Sequence, residues 1–426
     1  MKKPDHEIYL IQREFTLGRL SRRQALRALG ATGLAFATWP LLPMAKADEA
    51  GKQIGPGGIA LSRPDKPVRL PLHRDPIKAG LKPEGGTFQI FNYLDYVDQK
   101  VIDSFAAKYD CKVVLSTYET MDQCITRLAT GAIKADVTEI TPDRLAQAVA
   151  GKLVAPLNHD YLPNLKTNVW KSLQDPYYDL GSQYTVPYVV YSTGIGWRSD
   201  KIAEDISKMT NPWEIFWQAE KYKGYVGVLN DSRESLVMAL LRRGIYDVNT
   251  EDPQLIAQAL ADLQAMGPIC APKINITDYQ TLGDGSCWLH QSWSGNVVSC
   301  ALFNTPAGAD NSVLHYWTPP KGKGTVQNDC WAVLANSEKP VLAHLWLNHL
   351  LDAKVATGNF LDFMGYQPPQ VSIDADKLVK DGVIPAGVKS AILSENDLGP
   401  ASLQEGALTS KGQTLWQNAF AKFVAG

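Results

Sequence analysis

The chain has 426 residues, with 42 lysines and arginines against 44 aspartates and glutamates, which gives a formal net charge of −2 at pH 7. This near balance argues against nucleic acid as a partner, which favours a basic surface, and against an acidic disordered tail. With 45% hydrophobic residues, the length is sufficient for two globular α/β domains, each with its own core.

The first segment of the chain has the pattern of an export signal. Arg22 and Arg23 precede a weakly apolar run over residues 28–42, and an A-x-A cleavage pattern ends at Ala47. The run is too short and too weakly apolar for a membrane span. We therefore predict a twin-arginine signal peptide over residues 1–47, which delivers the mature protein to the periplasm through the twin-arginine export machinery. The alternative is a basic helix that contains two adjacent arginines by coincidence.

Residues 48–84 are rich in glycine, proline and charge and show little periodicity, which predicts an extended arm before the first domain. After the arm, short strands alternate with amphipathic helices, a pattern typical of parallel β-α-β units. The predicted strands cover residues 87–92, 112–117 and 135–140, and the predicted helices cover residues 97–109 and 121–130.

The same alternation returns in the second half of the chain. Asp231 precedes a predicted helix and is placed to cap it, with Glu234 near the positive end of the helix dipole. We find no internal repeat, so two α/β lobes explain the pattern better than one long sheet. The predicted strands here cover residues 225–229 and 326–334, and the predicted helices cover residues 235–244, 252–264 and 341–351.

The cysteines define no metal or redox motif, because no two of the six form a C-x-x-C pair. An even number of cysteines in an oxidising compartment permits disulfides, whereas buried free thiols are equally consistent with the sequence. If disulfides form, the pairs nearest in sequence are Cys111 with Cys124 and Cys270 with Cys287. The remaining two cysteines are Cys300 and Cys330.

Signatures of enzymes and metal sites are missing from the sequence. There is no H-E-x-x-H pair, G-x-S-x-G turn or phosphate-binding loop, and Gly194-Ile195-Gly196 lacks the third glycine of a dinucleotide fingerprint. The histidines are scattered rather than clustered. We therefore predict a protein without catalytic residues, bound metal or cofactor, and a periplasmic enzyme with a bound cofactor stays open as an alternative.

Acidic and aromatic residues follow several of the predicted strands. In an open α/β sheet, ligands bind beyond the carboxyl ends of the strands, where rings can contact methylene and ammonium groups while carboxylates hold the ends of a cation. Each residue also has a structural explanation, since tyrosines can line a core and Asp231 and Glu234 can serve only the helix start. The residues of this candidate cation site are Tyr93, Tyr96, Asp231, Glu234, Trp293, Asp329 and Tyr366.

A series of short motifs runs along the chain from Gly86 to roughly Gly399. They are NYLDY (92–96), VLSTYE (114–119), ADV (135–137), TVPY (185–188), NPW (211–213), YKG (222–224), NDSRE (230–234), WSG (293–295), ND (328–329) and GYQP (365–368). Each motif is weak alone. In this order and spacing they resemble the spermidine/putrescine-binding periplasmic proteins of ABC importers, which are extracellular solute-binding proteins of type II fold.

The resemblance implies an α/β fold with two lobes and a ligand cleft between them. Lobe 1 would comprise residues 85–193 and 328–372, and lobe 2 would comprise residues 194–327 and 373–426. It also implies a monomeric periplasmic component of an ABC importer that captures a polyamine, such as putrescine or spermidine, and delivers it to a permease and its ATPase. A sensor subunit that signals to a receptor is the alternative use of such a fold.

The resemblance also implies a role for each acidic residue and tyrosine of the site, taken from the family residue at the matching position. Tyr93 and Tyr96 would stack on the polyamine chain, and Asp231 and Glu234 would hold one ammonium group. Asp329 would hold a central or opposite amine.

Trp293 and Tyr366 would close the aromatic part of the site. At three other positions the sequence differs from the family pattern. Tyr93 stands where the family usually has tryptophan, residues 141–143 (TPD) contain no aromatic, and Gln327 replaces another aromatic. Because the acids are kept while rings are lost, we expect a cationic ligand. A different small amine, such as a quaternary ammonium compound, or another solute stays open.

Overall fold

The computed structural model describes residues 53–306, 308–399 and 401–426, so the predicted signal with Arg22 and Arg23 lies outside the described residues. The strands of the described part follow one hydrogen-bonded path in the order β2-β1-β3-β9-β4-β7-β5-β6, with β8 paired to β4. These strands are β1 (Gly86–Tyr93), β2 (Cys111–Tyr118), β3 (Val137–Ile140), β4 (Thr185–Arg198), β5 (Val226–Leu229), β6 (Lys273–Asn275), β7 (Leu289–Trp293), β8 (Leu314–Trp317) and β9 (Val326–Val333).

Helices connect and cover these strands. In chain order the α-helices of the described residues are α1 (Gln99–Tyr109), α2 (Met121–Ala129), α3 (Pro142–Ala150), α4 (Pro163–Asn168), α5 (Ser232–Arg242), α6 (Pro253–Cys270), α7 (Asp278–Thr281), α8 (Ser294–Ser299), α9 (Pro340–Leu350), α10 (Ala353–Asn359), α11 (Ala375–Lys380) and α12 (Ser410–Ala425). No described helix is both long and apolar enough to cross a membrane.

Two parallel β-α-β groups form the halves of the sheet, as the alternating pattern predicts. β1 pairs in parallel with β2 and β3, and β5 pairs in parallel with β6 and β7. In each group the carboxyl ends of the strands therefore meet at one edge of the sheet, where side chains from different strands come together.

Strand β4 joins the two halves. Its residues 185–192 pair with β9, and its residues 193–197 pair with β7. A Cβ atom at Gly194 would lie 2.1 Å from the carbonyl oxygen of Trp317. Gly194 therefore allows β4 to pack closely against β8. This packing accounts for the glycine, so a dinucleotide-binding motif is not needed to explain it.

Each half has a separate hydrophobic core. Phe88, Trp331 and Trp346 belong to the first core, and the two tryptophan rings lie 5.9 Å apart between centroids. Ile195 and Leu236 belong to the second. Burying a large apolar side chain contributes about 1.5–3 kcal/mol, so each half is stabilised by its own set of buried rings and aliphatic groups.

The described part of the predicted arm lies against the body of the protein. Leu61 and Leu70 are buried, and the Ser62 hydroxyl donates to the carbonyl of Tyr177 at 2.6 Å. Further along, the Tyr184 hydroxyl donates to the carbonyl of Pro71 at 2.6 Å. The arm is thus extended but anchored, with few regular backbone pairs of its own.

All six cysteines are free thiols, and all except Cys111 are buried. Neither of the two nearest-neighbour pairings occurs. Cys124 instead lies 3.4 Å from the hydroxyl of Thr138, and Cys270 contacts the carbonyl of Met266 at 3.6 Å. The cysteines pack as small apolar side chains.

Candidate functional site

A line of aromatic rings runs through the predicted site. Ring centroids are 5.7 Å apart between Tyr93 and Tyr96, 5.6 Å between Tyr96 and Tyr366, and 5.8 Å between Tyr366 and Tyr191. Tyr191 and Trp293 follow at 6.4 Å. The structure therefore brings together the four aromatic residues that the sequence predicts, with Tyr191 as the connecting ring.

The turn after β1 sets the positions of Tyr93 and Tyr96. Asp95 adopts a left-handed conformation with φ 55°, which aspartate tolerates better than most residues. The Tyr188 hydroxyl donates to the carbonyl of Tyr96 at 2.5 Å, and Asn359 donates to the Tyr188 hydroxyl at 2.8 Å. The turn is thus tied to β4 and to the end of α10.

Asp329 lies on β9 at the centre of the sheet, and only 6% of it is exposed. The Tyr96 hydroxyl donates to its Oδ2 at 2.5 Å, and the Tyr191 hydroxyl donates to its Oδ1 at 3.4 Å. Burial raises the pKa of Asp329 to about 6, although the two tyrosine hydrogen bonds oppose this shift. Burial also raises the pKa of Tyr96, so its hydroxyl keeps the proton that it donates.

Glu234 lies in the first turn of α5 and is 4% exposed. Its Oε1 accepts hydrogen bonds from Trp293 Nε1 at 2.7 Å and from the Thr193 hydroxyl at 2.9 Å. Its Oε2 is buried without a hydrogen-bond partner. Burial, reinforced by the neighbouring Asp231 carboxylate, raises the pKa of Glu234 to about 7.

Asp231 caps α5, as the sequence predicts. This structural role is present whether or not Asp231 also binds a ligand. Its Oδ1 accepts hydrogen bonds from the backbone N–H groups of Arg233 at 2.8 Å and Glu234 at 3.1 Å. Because this cap is in place, α5 begins at Ser232, three residues before the start that the sequence predicts at 235. Burial raises the pKa of Asp231.

The guanidinium of Arg233, which lies between the two acids in the sequence, already has other partners. Arg233 donates to the carbonyls of Gly406 and Val248, each at 3.1 Å, and to the side-chain oxygen of Asn249 at 2.8 Å. Its Nε lies 3.9 Å from a carboxylate oxygen of Glu405. Arg233 therefore supports the loop around 405 and leaves Glu234 Oε2 without a positive partner.

Tyr366 lies flat against a glycine. A Cβ atom at Gly295 would lie 2.4 Å from Cγ of Tyr366 and 2.5 Å from Cδ1. This explains why the WSG motif places glycine directly after the Trp293-Ser294 pair. The position of the Tyr366 ring depends on that missing methyl group.

Gly295→Ala is expected to lower the free energy of unfolding by about 1–3 kcal/mol, the usual cost of overpacking, even though alanine favours a helix more than glycine does. Chemical denaturation measures this change. Gly358→Ala in α10, where a Cβ atom would meet only the Asp362 carboxylate, at 4.0 Å, is the control and is expected to raise stability slightly. A Gly295→Ala protein as stable as wild type would show that the ring can move without cost.

Sequence reasoning missed several polar residues at this site. Asn92 and Glu139 are fully buried next to it, and Tyr188 and Tyr191 belong to a strand that was not predicted. The only signal for Glu139 is a single acid within an otherwise apolar or β-branched strand, which is unusual for a buried position. Among the residues that the structure describes, no three histidine, cysteine, aspartate or glutamate side chains are grouped to hold a metal ion.

Comparison with known proteins places this geometry in a family. The chain is 26% identical over 314 residues to spermidine/putrescine-binding periplasmic protein 1 of Haemophilus influenzae, which covers 73% of this chain and 82% of that relative. It is 25% identical over 274 residues to a putrescine/cadaverine-binding protein of Pseudomonas aeruginosa, which covers 63% of this chain and 75% of that relative.

A solved structure shares the fold. The spermidine/putrescine ABC transporter substrate-binding protein of Streptococcus pneumoniae superposes with a TM-score of 0.63 at 17% identity, covering 80% of this chain and 99% of that one. The family model of bacterial extracellular solute-binding proteins, which are not enzymes, matches residues 100–386. The chain therefore belongs to the bacterial extracellular solute-binding proteins, with their two-lobed α/β fold and with polyamine-binding periplasmic proteins among its relatives.

Proposed function

We propose that the protein is the periplasmic substrate-binding component of an ABC importer, and that it captures a putrescine- or spermidine-like polyamine for delivery to a permease. In this proposal the twin-arginine signal is removed after Ala47 and the mature protein acts as a monomer. The names of its relatives support a polyamine ligand at modest identity. The remaining support comes from the chemistry of the site.

The observation that carries the proposal is the pair of buried carboxylates along the aromatic line. Glu234 has an oxygen without a partner at the Trp293 end, and Asp329 lies beside the middle of the line, where it receives only the hydroxyls of Tyr96 and Tyr191. A buried carboxylate without a positive partner costs several kcal/mol, which a cation would offset. The aromatic rings next to the two carboxylates suit the methylene chain of a diamine.

Closure around the ligand follows from the same charges. We propose that residues 85–193 with 328–372 form lobe 1 and residues 194–327 with 373–426 form lobe 2. The change of core at residue 193 supports the first boundary, whereas Val326, Leu393 and Leu398 pack in the first core. Bringing Glu234 and Asp329 together without a cation is costly, so an amine favours the closed state by differential affinity.

Thermal unfolding with a panel of solutes tests the proposal. Ligand that binds only the folded protein stabilises it by about 2.7 kcal/mol at a hundredfold excess over Kd. We expect putrescine, cadaverine and spermidine to raise the midpoint, and N-acetylputrescine, which keeps one charge, to do so much less. A response to a sugar or an anion with none to any amine would contradict the polyamine assignment.

Asp231→Asn is expected to abolish the putrescine-induced shift of the unfolding midpoint. Asparagine caps helices about as well as aspartate, so the start of α5 is retained while the charge is lost. The unfolding midpoint without ligand serves as the control and is expected to change little. A variant that keeps the full putrescine shift would limit Asp231 to its capping role.

A further inference from the structure

Two fully buried polar side chains beside the aromatic line have unused hydrogen-bonding atoms. Neither Oδ1 nor Nδ2 of Asn92 has a partner, and Oε1 of Glu139 has none either. Oε2 of Glu139 accepts one hydrogen bond, from the Tyr118 hydroxyl at 3.0 Å. Most buried polar atoms in folded proteins are paired, so three unpaired atoms in one place require a reason.

Strand pairing brings these two residues together. β1 and β3 run in parallel, with Ile90 opposite Val137 and Phe91 opposite Thr138. One further residue along both strands sets Asn92 beside Glu139, on the same face of the sheet. Both residues lie at the carboxyl ends of their strands, which is the edge where ligands bind in this kind of sheet.

Asp329 reaches the same place from β9. Glu139 pairs with Trp331 across the antiparallel β3–β9 ladder, and Asp329 lies two residues before Trp331 on the same face. Diagonal neighbours of this kind have Cβ atoms roughly 7–8 Å apart. A group with several N–H donors between the two carboxylates could therefore bind both.

Among the residues that the structure describes, no positive side chain forms an ion pair with Glu139. Burial raises the pKa of Glu139 well above its ordinary value, and the carboxylates of Asp329 on β9 and Asp143 on α3 raise it further, whereas the hydrogen bond from Tyr118 on β2 opposes the shift. The nearby Arg144 guanidinium is bonded to Asp143 at 3.3 Å and to Asp122 at 3.0 Å.

Two rings of the aromatic line, Tyr93 and Tyr96, lie close enough to Glu139 for its charge to affect their hydroxyls. The carboxylates of Glu139 and Asp329 both raise the pKa values of Tyr93 and Tyr96, although burial of the two rings is the larger cause. Glu139 therefore lies close enough to Tyr93 and Tyr96 for its charge to act on both hydroxyls.

We propose that Asn92, Glu139 and Asp329 form a second recognition end, the Glu139 end, which binds a terminal cationic group bearing several N–H donors. This inference rests on the proposed function and deepens it. The ligand is then a dication whose two charged groups are separated by an apolar chain, with one group at Glu234 and the other at the Glu139 end. Primary ammonium and guanidinium groups fit this end, whereas a quaternary ammonium has charge but no donor.

Glu139→Gln tests the inference in the full protein, with titration calorimetry of putrescine and agmatine. Glutamine keeps the size and the acceptor for Tyr118 but removes the charge, and we expect affinity for both amines to fall at least tenfold. We also expect the variant to release fewer protons on binding at pH 7, measured in two buffers of different ionisation enthalpy. Glu338→Gln, an exposed glutamate, is the matched control and should leave both quantities unchanged.

A measurement on the unmodified protein keeps the inference testable if Glu139→Gln does not fold. Putrescine with both nitrogens fully methylated retains its two charges and loses every N–H donor, so we expect it to bind at least tenfold more weakly than putrescine. Equal binding of the two would overturn the inference.

The outcomes separate this inference from the proposed function. Putrescine binding with unchanged affinity and proton release in Glu139→Gln would overturn the Glu139 end while leaving the polyamine assignment intact. No binding of any amine by the wild-type protein would overturn both. A change in the unfolding midpoint of the empty protein, with no change in affinity, would assign Glu139 a structural role and overturn the inference.

Discussion

Glu234→Gln is expected to weaken putrescine binding about 100-fold or more while the protein stays folded. Removing one member of a buried, hydrogen-bonded charge pair costs about 2–5 kcal/mol, and each 1.4 kcal/mol is a factor of ten in affinity. Glutamine can still accept hydrogen bonds from Trp293 Nε1 and the Thr193 hydroxyl through its side-chain oxygen. What it loses is the negative charge at the unpartnered Oε2.

Stability without ligand distinguishes this effect from misfolding. At pH 8 the empty wild-type protein holds Glu234 ionised in a buried site, so we expect Glu234→Gln to unfold at the same or a higher temperature. Titration calorimetry with putrescine gives the affinity, and Glu338→Gln on the surface is again the matched control. A folded Glu234→Gln protein with wild-type affinity would place the ligand elsewhere.

The elements that sequence patterns predicted well are the ones with regular periodicity. The first three predicted strands match β1, β2 and β3 to within one or two residues at each end, and the helix predicted at 97–109 is α1 with Asp98 as its cap. β1, β2 and α1 are half-buried or amphipathic, so their hydrophobic period shows directly in the sequence, whereas β3 is buried at every position.

Strand β4 was missed because its pattern is not periodic. Its residues are buried on both faces for nearly their whole length, so the strand reads as a continuous apolar run. Pro187 also argues against a central strand, and the structure accommodates it where the pairing with β9 shifts register. Tyr188 and Tyr191 lie on this strand and were missed with it. The sequence prediction therefore lacked Tyr191, the connecting ring of the aromatic line.

Strand β7 was missed because it is polar. Its Gln291 is buried only because tertiary partners satisfy it: the side-chain amide donates to the carbonyl of Glu234 at 2.8 Å and accepts from the N–H of Leu229 at 3.3 Å. Similarly, helix α6 continues beyond residue 264 to Cys270 despite Pro268 within it. No local pattern encodes such partners, so sequence alone could not extend these elements.

The site was predictable from resemblance more than from chemistry. The motifs identified Tyr93, Tyr96, Trp293 and Tyr366, which the structure gathers into one line through Tyr191. Glu139 has no counterpart in those motifs, and it enters the site only because β3 lies between β1 and β9. Strand order is a property of the whole fold. The neighbours of a single acidic residue in a strand therefore cannot be predicted from the local sequence.

Putrescine affinity is expected to fall steeply as pH decreases from 8 to 5. Burial raises the pKa of Asp329 to about 6 and that of Glu234 to about 7, and the pKa of Glu139 is raised too. Below these values the empty site holds protons that a cation must displace. Amines, with an ordinary pKa near 10.4 for lysine, stay charged throughout this range. We therefore expect Kd to rise about tenfold or more per pH unit where the slope is steepest.

Unlike the affinity for putrescine, the stability of the empty protein should increase as pH decreases. A carboxyl group whose pKa is higher in the folded than in the unfolded state binds more protons when folded, so its contribution is present at low pH and is lost as pH rises through the folded pKa. Asp329 and Glu234 place that loss between about pH 4, the ordinary pKa of a carboxyl group, and their folded-state values of about 6 and about 7. Asp179 and Asp278, also buried with raised pKa values, contribute in the same direction.

Putrescine separates the acids of the site from the structural acids. At saturating putrescine the part of the pH dependence due to Asp329 and Glu234 should disappear, because the cation keeps both ionised, while the part due to Asp179 and Asp278 should remain. Thermal unfolding from pH 5 to pH 8, with and without putrescine at constant ionic strength, measures both parts. A ligand-induced shift that does not vary with pH would mean that these carboxylates are already ionised in the empty site, and that burial does not set their charge.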